Sequence, residues 1–382
     1  MKVQYSTGRM FAFLVCWFKL TVSLAHPMPP SSIQLKVGAE SLRGIARIPL
    51  PELMTIWNVL PNTSSEVLFR EKMPEFTSQF LREVNFLTLD QKKWPLRITQ
   101  QALTRVHQEG IGRIEVWEVY FETKPPPHYE LRNFFLHVQL INHQVASHQW
   151  IVHIQHDFEN GTIGHDNHLQ MGIIENKPNT TTTQSLFIDL GEGSVWTGFF
   201  AMVQFGVWHI LQGADHLCFL LILVLGVFKT GKWKEQLSQL GLLISVFTLG
   251  HALSLGLTLT GRMPFSSYWI EIGVGVTILF SALIGLVYSK MAPLFFPTFI
   301  FGLIHGGAFA QTLVDIDLQG THLFWGVLGF NVGIESVQIA LIAAIIPVLR
   351  QLTKNKVVYD WITRLTLTMG VVLSIFWIFQ RI

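Results

Sequence analysis

From residue 195 to residue 382 the chain is mostly Leu, Ile, Val, Phe and Gly, and short polar breaks divide it into six apolar stretches. They run approximately 196–228, 237–260, 269–288, 293–314, 320–348 and 360–380. A bilayer crossing takes roughly 20 apolar residues, so each stretch is long enough. Inside hydrocarbon the backbone must satisfy its own N–H and C=O groups, which restricts a spanning segment to a helix or a closed barrel. Continuous apolar runs select the helix. The expectation for this half is an all-α polytopic membrane bundle of about six transmembrane helices.

The first stretch is the longest and contains Gln204, Gln212 and Asp215. It reads as a short helix followed by a spanning helix, with a bend near Gly213.

Residues 26–190 differ. They hold most of the acidic groups and prolines, and several segments alternate or favour strand. Examples are 32–37, 113–120, 134–140 and 148–154, separated by Pro, Asn and Gly. About 160 residues suffice for one domain with its own core. The expectation is an extracytoplasmic β-sandwich-like domain with antiparallel pairing and a weak helix signal at Phe76–Val84. Only Cys16 and Cys218 are present, so no disulfide framework supports it. A net charge of +2 and the lack of a basic stripe exclude a nucleic-acid partner.

Residues 1–25 read as a signal peptide: Lys2 and Arg9 precede the apolar core Met10–Phe18, and Ser23, Leu24 and Ala25 offer small residues for cleavage. Cleavage would leave His26 as the new terminus. The domain plan is then 1–25 signal, 26–190 extracytoplasmic and 191–382 membrane. With 26–190 outside, the inner connections hold Lys229, Lys232, Lys234, Lys290, Arg350, Lys354 and Lys356. The outer ones hold Arg262, Asp315, Asp317 and, at the far end, Arg381. This agrees with the positive-inside rule and places a multi-pass protein in a cell inner membrane.

Ionisable groups inside apolar spans are costly and default to a functional reading. His209, Asp215, His216, His251, His305 and Glu335 all lie in such stretches, with Glu271 at the start of another. On one continuous helix, His209 and His216 share a face about two turns apart. The set suggests a divalent transition-metal site, nickel or zinc, with Asp215 either a ligand or the group that orients His216. Asn331 and Gln338 are placed to complete hydrogen bonds near Glu335, and Ser254 to share the face of His251. Taken singly, His251 or His305 could simply bond across helices.

The N-terminal half has its own histidine concentration: His128, His137, His143, His148, His153, His156, His165 and His168. One strand cannot aim His148, His153 and His156 at a single ion, because neighbouring side chains alternate faces. His156-Asp157 and His165-Asp166-Asn-His168 are the better candidates for metal capture; ordinary surface histidine is the plainer account.

Four ordered blocks carry a family likeness: His209-Ile-Leu-Gln-Gly-Ala-Asp215-His216, Phe247-Thr-Leu-Gly-His251, Phe301-Gly-Leu-Ile-His305-Gly-Gly and Phe330-Asn-Val-Gly-Ile-Glu335. Over roughly 196–348 the chain resembles the HupE/UreJ family of hydrogenase and urease accessory membrane proteins, in its second branch with an extracytoplasmic leader domain. The better-known branch resembles nickel permeases that supply metalloenzyme maturation. The resemblance implies metal contact by His209, Asp215 and His216. The His-Gly-x-Glu continuation usual after the His305 block is replaced here by Ala308-Phe-Ala310.

The partners implied are a metal ion, the lipid bilayer and a metalloenzyme maturation pathway. Three functional readings follow: a nickel or related divalent-metal permease or accessory protein, an intramembrane zinc-dependent hydrolase, and a non-catalytic membrane anchor or assembly protein.

Overall fold

The computed structural model describes residues 29–382 except 61–62, 109–111, 146, 164–168, 177–182, 229–231, 263–265, 288–294 and 315. The signal segment, His26, His165, Asp166, His168, Lys229, Lys290 and Asp315 lie outside the described residues.

Alternating side chains build the N-terminal domain. In β1 (Ser31–Val37) and β2 (Leu42–Pro49) every second residue is buried, the period-two pattern of a sheet with one face on a core. The chain continues through α1 (Leu50–Ile56), α2 (Ser65–Glu83), β3 (Val84–Leu87), β4 (Leu96–Gln108), β5 (Gly112–Thr123) and β6 (Asn133–Val138). Next come β7 (Trp150–Asp157), a 3-10 turn (Phe158–Asn160), β8 (Leu169–Ile174) and β9 (Leu186–Asp189).

Six strands form one sheet in the order β4-β5-β2-β1-β7-β8, and three form a second, β3-β6-β9. The two sheets share one core: Phe86 of β3 lies 5.7 Å from both Phe121 of β5 and Phe134 of β6.

Two expectations are corrected here. The pairing is not wholly antiparallel, because β1 and β7 run parallel, with Leu35 beside Ile154. Those strands are far apart in sequence, so no hairpin turn fixes their direction. The helix signal also underestimated α2, which starts at Ser65 and carries Pro74 inside it. Proline removes one backbone bond, but Leu68, Phe76 and Phe80 bury on the same sheet, Phe76 4.5 Å from Trp117 and Phe80 6.0 Å from Phe121. That burial outweighs the lost bond.

The apolar half forms α3 (Val195–Gln212), α4 (Ala214–Val227), α5 (Trp233–Leu259), α6 (Ser267–Val287), α7 (Phe295–Val314), α8 (Gly320–Leu352) and α9 (Lys356–Arg381). Four of them, α5, α6, α8 and α9, are long and apolar enough to cross a membrane, and the α3–α4 pair makes a fifth if counted as one broken span. The count of about six therefore reduces to four or five by length among the described residues. The apolar part of α7, Phe295–Ala310, is the shorter piece.

The expected bend is present: α3 and α4 meet at 76° across Gly213. Glycine is required there for space. A Cβ would lie 2.7 Å from His216 Nδ1 and 2.9 Å from the His209 carbonyl oxygen.

Glycine also sets the spacing between helices. A Cβ on Gly302 would lie 2.1 Å from the Phe247 carbonyl oxygen, and one on Gly306 2.3 Å from that of His251, so α5 and α7 touch backbone to backbone. Gly206 and Gly333 do the same for α3 and α8, each 2.1 Å from a facing carbonyl oxygen. These two seams fix the relative positions of His251 and His305, and of His209 and Asn331.

Phe158 connects the halves. It belongs to the same buried cluster as Met202 of α3, Leu318 just before α8 and Phe330 of α8, and its ring stacks 4.8 Å from His322 at the start of α8. Beside it, Glu159 meets His322 at 3.2 Å and Arg132 at 3.1 Å, while Arg132 grips Asp157 at 2.7 Å. Arg43 of β2 adds a 2.7 Å pair to Asp317 between α7 and α8.

Candidate metal centre

Four buried or half-buried imidazoles come together below this junction. His209 ends α3, His216 begins α4, His251 lies in α5 and His305 in α7. One ring nitrogen from each of His209, His216 and His251 lies within 4.8 Å of the other two. The His209 and His216 rings are 4.6 Å apart. Two turns of one straight helix would separate them by about 10 Å. The bend at Gly213 has folded them together, so the shared-face picture is replaced by two helix ends facing each other.

Each ring has a specific holder. His216 Nδ1 lies 2.9 Å from Asp215 Oδ1. His251 Nδ1 lies 3.3 Å from Asn331 Oδ1, and Asn331 turns that oxygen toward it by donating its amide N–H to the Val327 carbonyl at 2.7 Å. His305 Nε2 lies 3.0 Å from Thr277 Oγ1, whose hydroxyl donates to the Val274 carbonyl at 2.7 Å.

In all three cases the partner is an acceptor, so the paired nitrogen carries a hydrogen. In the neutral form of each ring the other nitrogen keeps its lone pair. Those other nitrogens are His216 Nε2, His251 Nε2 and His305 Nδ1. All are buried and have no hydrogen-bond partner, as does His209 Nε2. The His209 ring is held by packing, 3.9 Å from Phe309 and 5.4 Å from Phe330.

Buried polar atoms are normally paired. Several converging ring nitrogens, none of them satisfied, have the composition of a cation-binding donor set. A ligating histidine typically has its second nitrogen tied to a carboxylate or carbonyl, which is the pattern at His216 and His251.

The other expected residues are placed differently. His305 has its ring 5.2 Å from His216 but stays outside the three-nitrogen group. Asp215 stands behind His216, between it and Arg381 at 3.9 Å. Glu335 accepts a hydrogen bond from Ser245 Oγ at 2.6 Å and is not among the grouped ligands. Asn331 serves His251 rather than Glu335. Glu271 pairs with Arg381 at 3.7 Å. In the N-terminal domain, His148 Nδ1 is buried 2.5 Å from Glu52 Oε2. Among the described residues no histidine of that domain joins a group of three ligands.

Sequence reasoning missed Thr277 and Arg381. A lone threonine in an apolar helix normally bonds its own backbone, and an arginine at the last turn reads as an interfacial anchor. Neither carried a signal of its partner.

The family described as HupE / UreJ protein matches residues 183–381, which takes in every helix from α3 to α9. The chain belongs to the HupE / UreJ family. That family is associated with nickel and metal accessory functions, and its apolar helices make this HupE / UreJ chain a membrane protein. Most of the N-terminal domain lies before the matched region. No curated protein and no solved structure matches the chain.

Proposed function

We propose that this chain is a membrane permease or accessory protein that binds a divalent transition metal, nickel or a closely related ion, through His209, His216 and His251. The observation that carries this reading is the set of three ring nitrogens within 4.8 Å, their Nε2 atoms otherwise without partners. Imidazole suits nickel, zinc and copper, and the family association favours nickel.

Asp215 and Asn331 fix the tautomers that turn the lone pairs of His216 and His251 inward. His305 supplies a further nitrogen beside His216 for exchange. Arg381 balances Asp215 and adds positive charge near the site, which weakens the hold on a cation. Transport requires such moderation, since an ion bound too tightly is not released. The lysine and arginine distribution supports an inner-membrane location with the N-terminal domain outside, and the family association supports a metalloenzyme maturation pathway as client.

The test is metal analysis of protein purified without chelator, beside His216→Ala. The expected result is near-stoichiometric nickel or zinc on the wild type and loss in the variant. A wild-type protein that takes up neither ion ends this reading.

One observation favours a second reading, a zinc-dependent hydrolase acting inside the bilayer. An apolar groove of about 300 Å³ between α6 and α7 is lined by Trp269, Ile270, Gly273, Ile304 and Gly307, and Gly307 packs against the buried Ser254, three residues after His251. Three imidazoles leave a fourth zinc position for water. Tightly held, non-exchanging zinc with turnover of a lipid-like substrate would favour it.

A further inference from the structure

A row of polar side chains leaves the histidine cluster and runs between α5 and α8, away from the N-terminal domain. On α5 it descends from His251 through Thr248 to Ser245, each three residues apart. On α8 it descends from Asn331 through Glu335 to Gln338, at the four- and three-residue spacing of one helix face. The top of the row is tied across by His251 and Asn331 at 3.3 Å, and its middle by Ser245 and Glu335 at 2.6 Å. Along α8 the row covers about 10 Å from Asn331 to Gln338.

Three features set this row apart from ordinary helix packing. Thr248 and Gln338 are buried, 6% and 5% exposed, and Thr248 Oγ1 and Gln338 Oε1 have no hydrogen-bond partner. Glu335 sits near the midpoint of the longest helix of the bundle, where a carboxylate facing lipid alone would be costly. It is only half-buried and its partner Ser245 is exposed, so the middle of the row reaches the surface of the bundle. In the opposite direction, toward Phe158, the cluster is closed by Phe309, Phe330, Leu313 and Leu318.

From this we infer that Ser245, Thr248, Glu335 and Gln338 form a second, oxygen-lined cation station between α5 and α8 that receives the metal ion from the histidine site and releases it. The inference rests on the metal-binding reading above. Its chemistry is directional. Borderline divalent ions prefer imidazole nitrogen, while hydroxyl, amide and single carboxylate oxygens hold them more loosely. An ion that moves from His251 to Glu335 passes from the firmer donor set to the weaker one, with water replacing the lost ligands. Arg381 and Glu271 stand on the other polar approach, beside Asp215, and mark where an ion would arrive.

The test uses the full chain in proteoliposomes that enclose a metal-sensitive dye, with Ni²⁺ added outside, and in parallel measures Ni²⁺ binding to the detergent-purified protein. Glu335→Gln keeps an oxygen to accept from Ser245 and removes the charge. It should leave the tight Ni²⁺ binding of the histidine site intact and slow Ni²⁺ entry about tenfold or more. Glu335→Asp should restore part of the rate, and Thr248→Val should slow entry with binding intact.

The inference is overturned if Glu335→Gln carries Ni²⁺ at the wild-type rate. It is equally overturned if Glu335→Gln loses binding, which would make Glu335 part of the holding site. Wild-type protein that binds Ni²⁺ but passes none into vesicles also sinks it and leaves the binding reading standing. Wild-type protein that binds no Ni²⁺ sinks that reading instead.

Discussion

His148 and His251 are the same side chain in nearly the same predicament, and the two halves of the molecule use them differently. Both are buried, both have Nδ1 close to an oxygen, 2.5 Å from Glu52 Oε2 and 3.3 Å from Asn331 Oδ1, and both leave Nε2 without a partner. His148 stands alone beside Glu52 in the core of the β domain. His251 shares its surroundings with the rings of His209 and His216. A half-satisfied histidine is therefore weak evidence for a ligand. Convergence is the stronger evidence, and it requires several helices to be held in register at once.

The comparison breaks if the two histidines respond alike to removal. His251→Ala should abolish near-stoichiometric metal binding, an affinity loss beyond the roughly 100-fold expected for an outer partner, as read by calorimetry and metal analysis. His148→Ala should leave metal content unchanged. It should instead destabilise the β domain by about 3–5 kcal/mol, because it strands the buried Glu52 carboxylate, as seen by chemical denaturation with hydrogen exchange. Metal loss in His148→Ala would place a binding role in the wrong half.

A finer distinction concerns the group behind the ring. Asn331→Ala frees the His251 tautomer and should weaken metal binding about 10- to 100-fold without removing it. An unchanged affinity would mean that packing alone orients that ring.

The smallest effect lies in the β domain. Burial holds the His137 imidazole below its ordinary 6.5, so the unfolded chain binds more protons than the folded one below that pH. Its contribution to stability is complete above 6.5 and declines as the pH falls. His137→Asn should flatten this slope in β-domain exchange protection and leave metal binding at neutral pH untouched.

Much of this was readable in advance, for reasons that differ between the halves. The apolar runs declared themselves because hydrocarbon admits few backbone conformations, and the bend near Gly213 followed from glycine among polar residues in an overlong segment. The strands at 31–37, 112–123 and 133–138 were legible from alternation. The parallel β1–β7 pair was not, because its partners are joined through most of the domain. Pro74 hid the first half of α2, since a local breaker was overruled by burial that only the sheet reveals.

At the site, the histidines could be listed from sequence but their grouping could not. His209 and His216 look like two rungs of one ladder until the break is known. Asn331 looks like a partner for Glu335, four residues away, and instead serves a ring 80 positions distant. Thr277 and Arg381 carry no local mark of their roles at all.

The break at Gly213 has one more consequence. Two of the three grouped imidazoles ride on separate rods joined by a single residue, so the gap between them is governed by an angle rather than by a fixed rise. A change in that angle would open or shut the jaw formed by His209 and His216. The α3–α8 glycine seam fixes the His209 side, and the α5–α7 seam fixes His251 opposite.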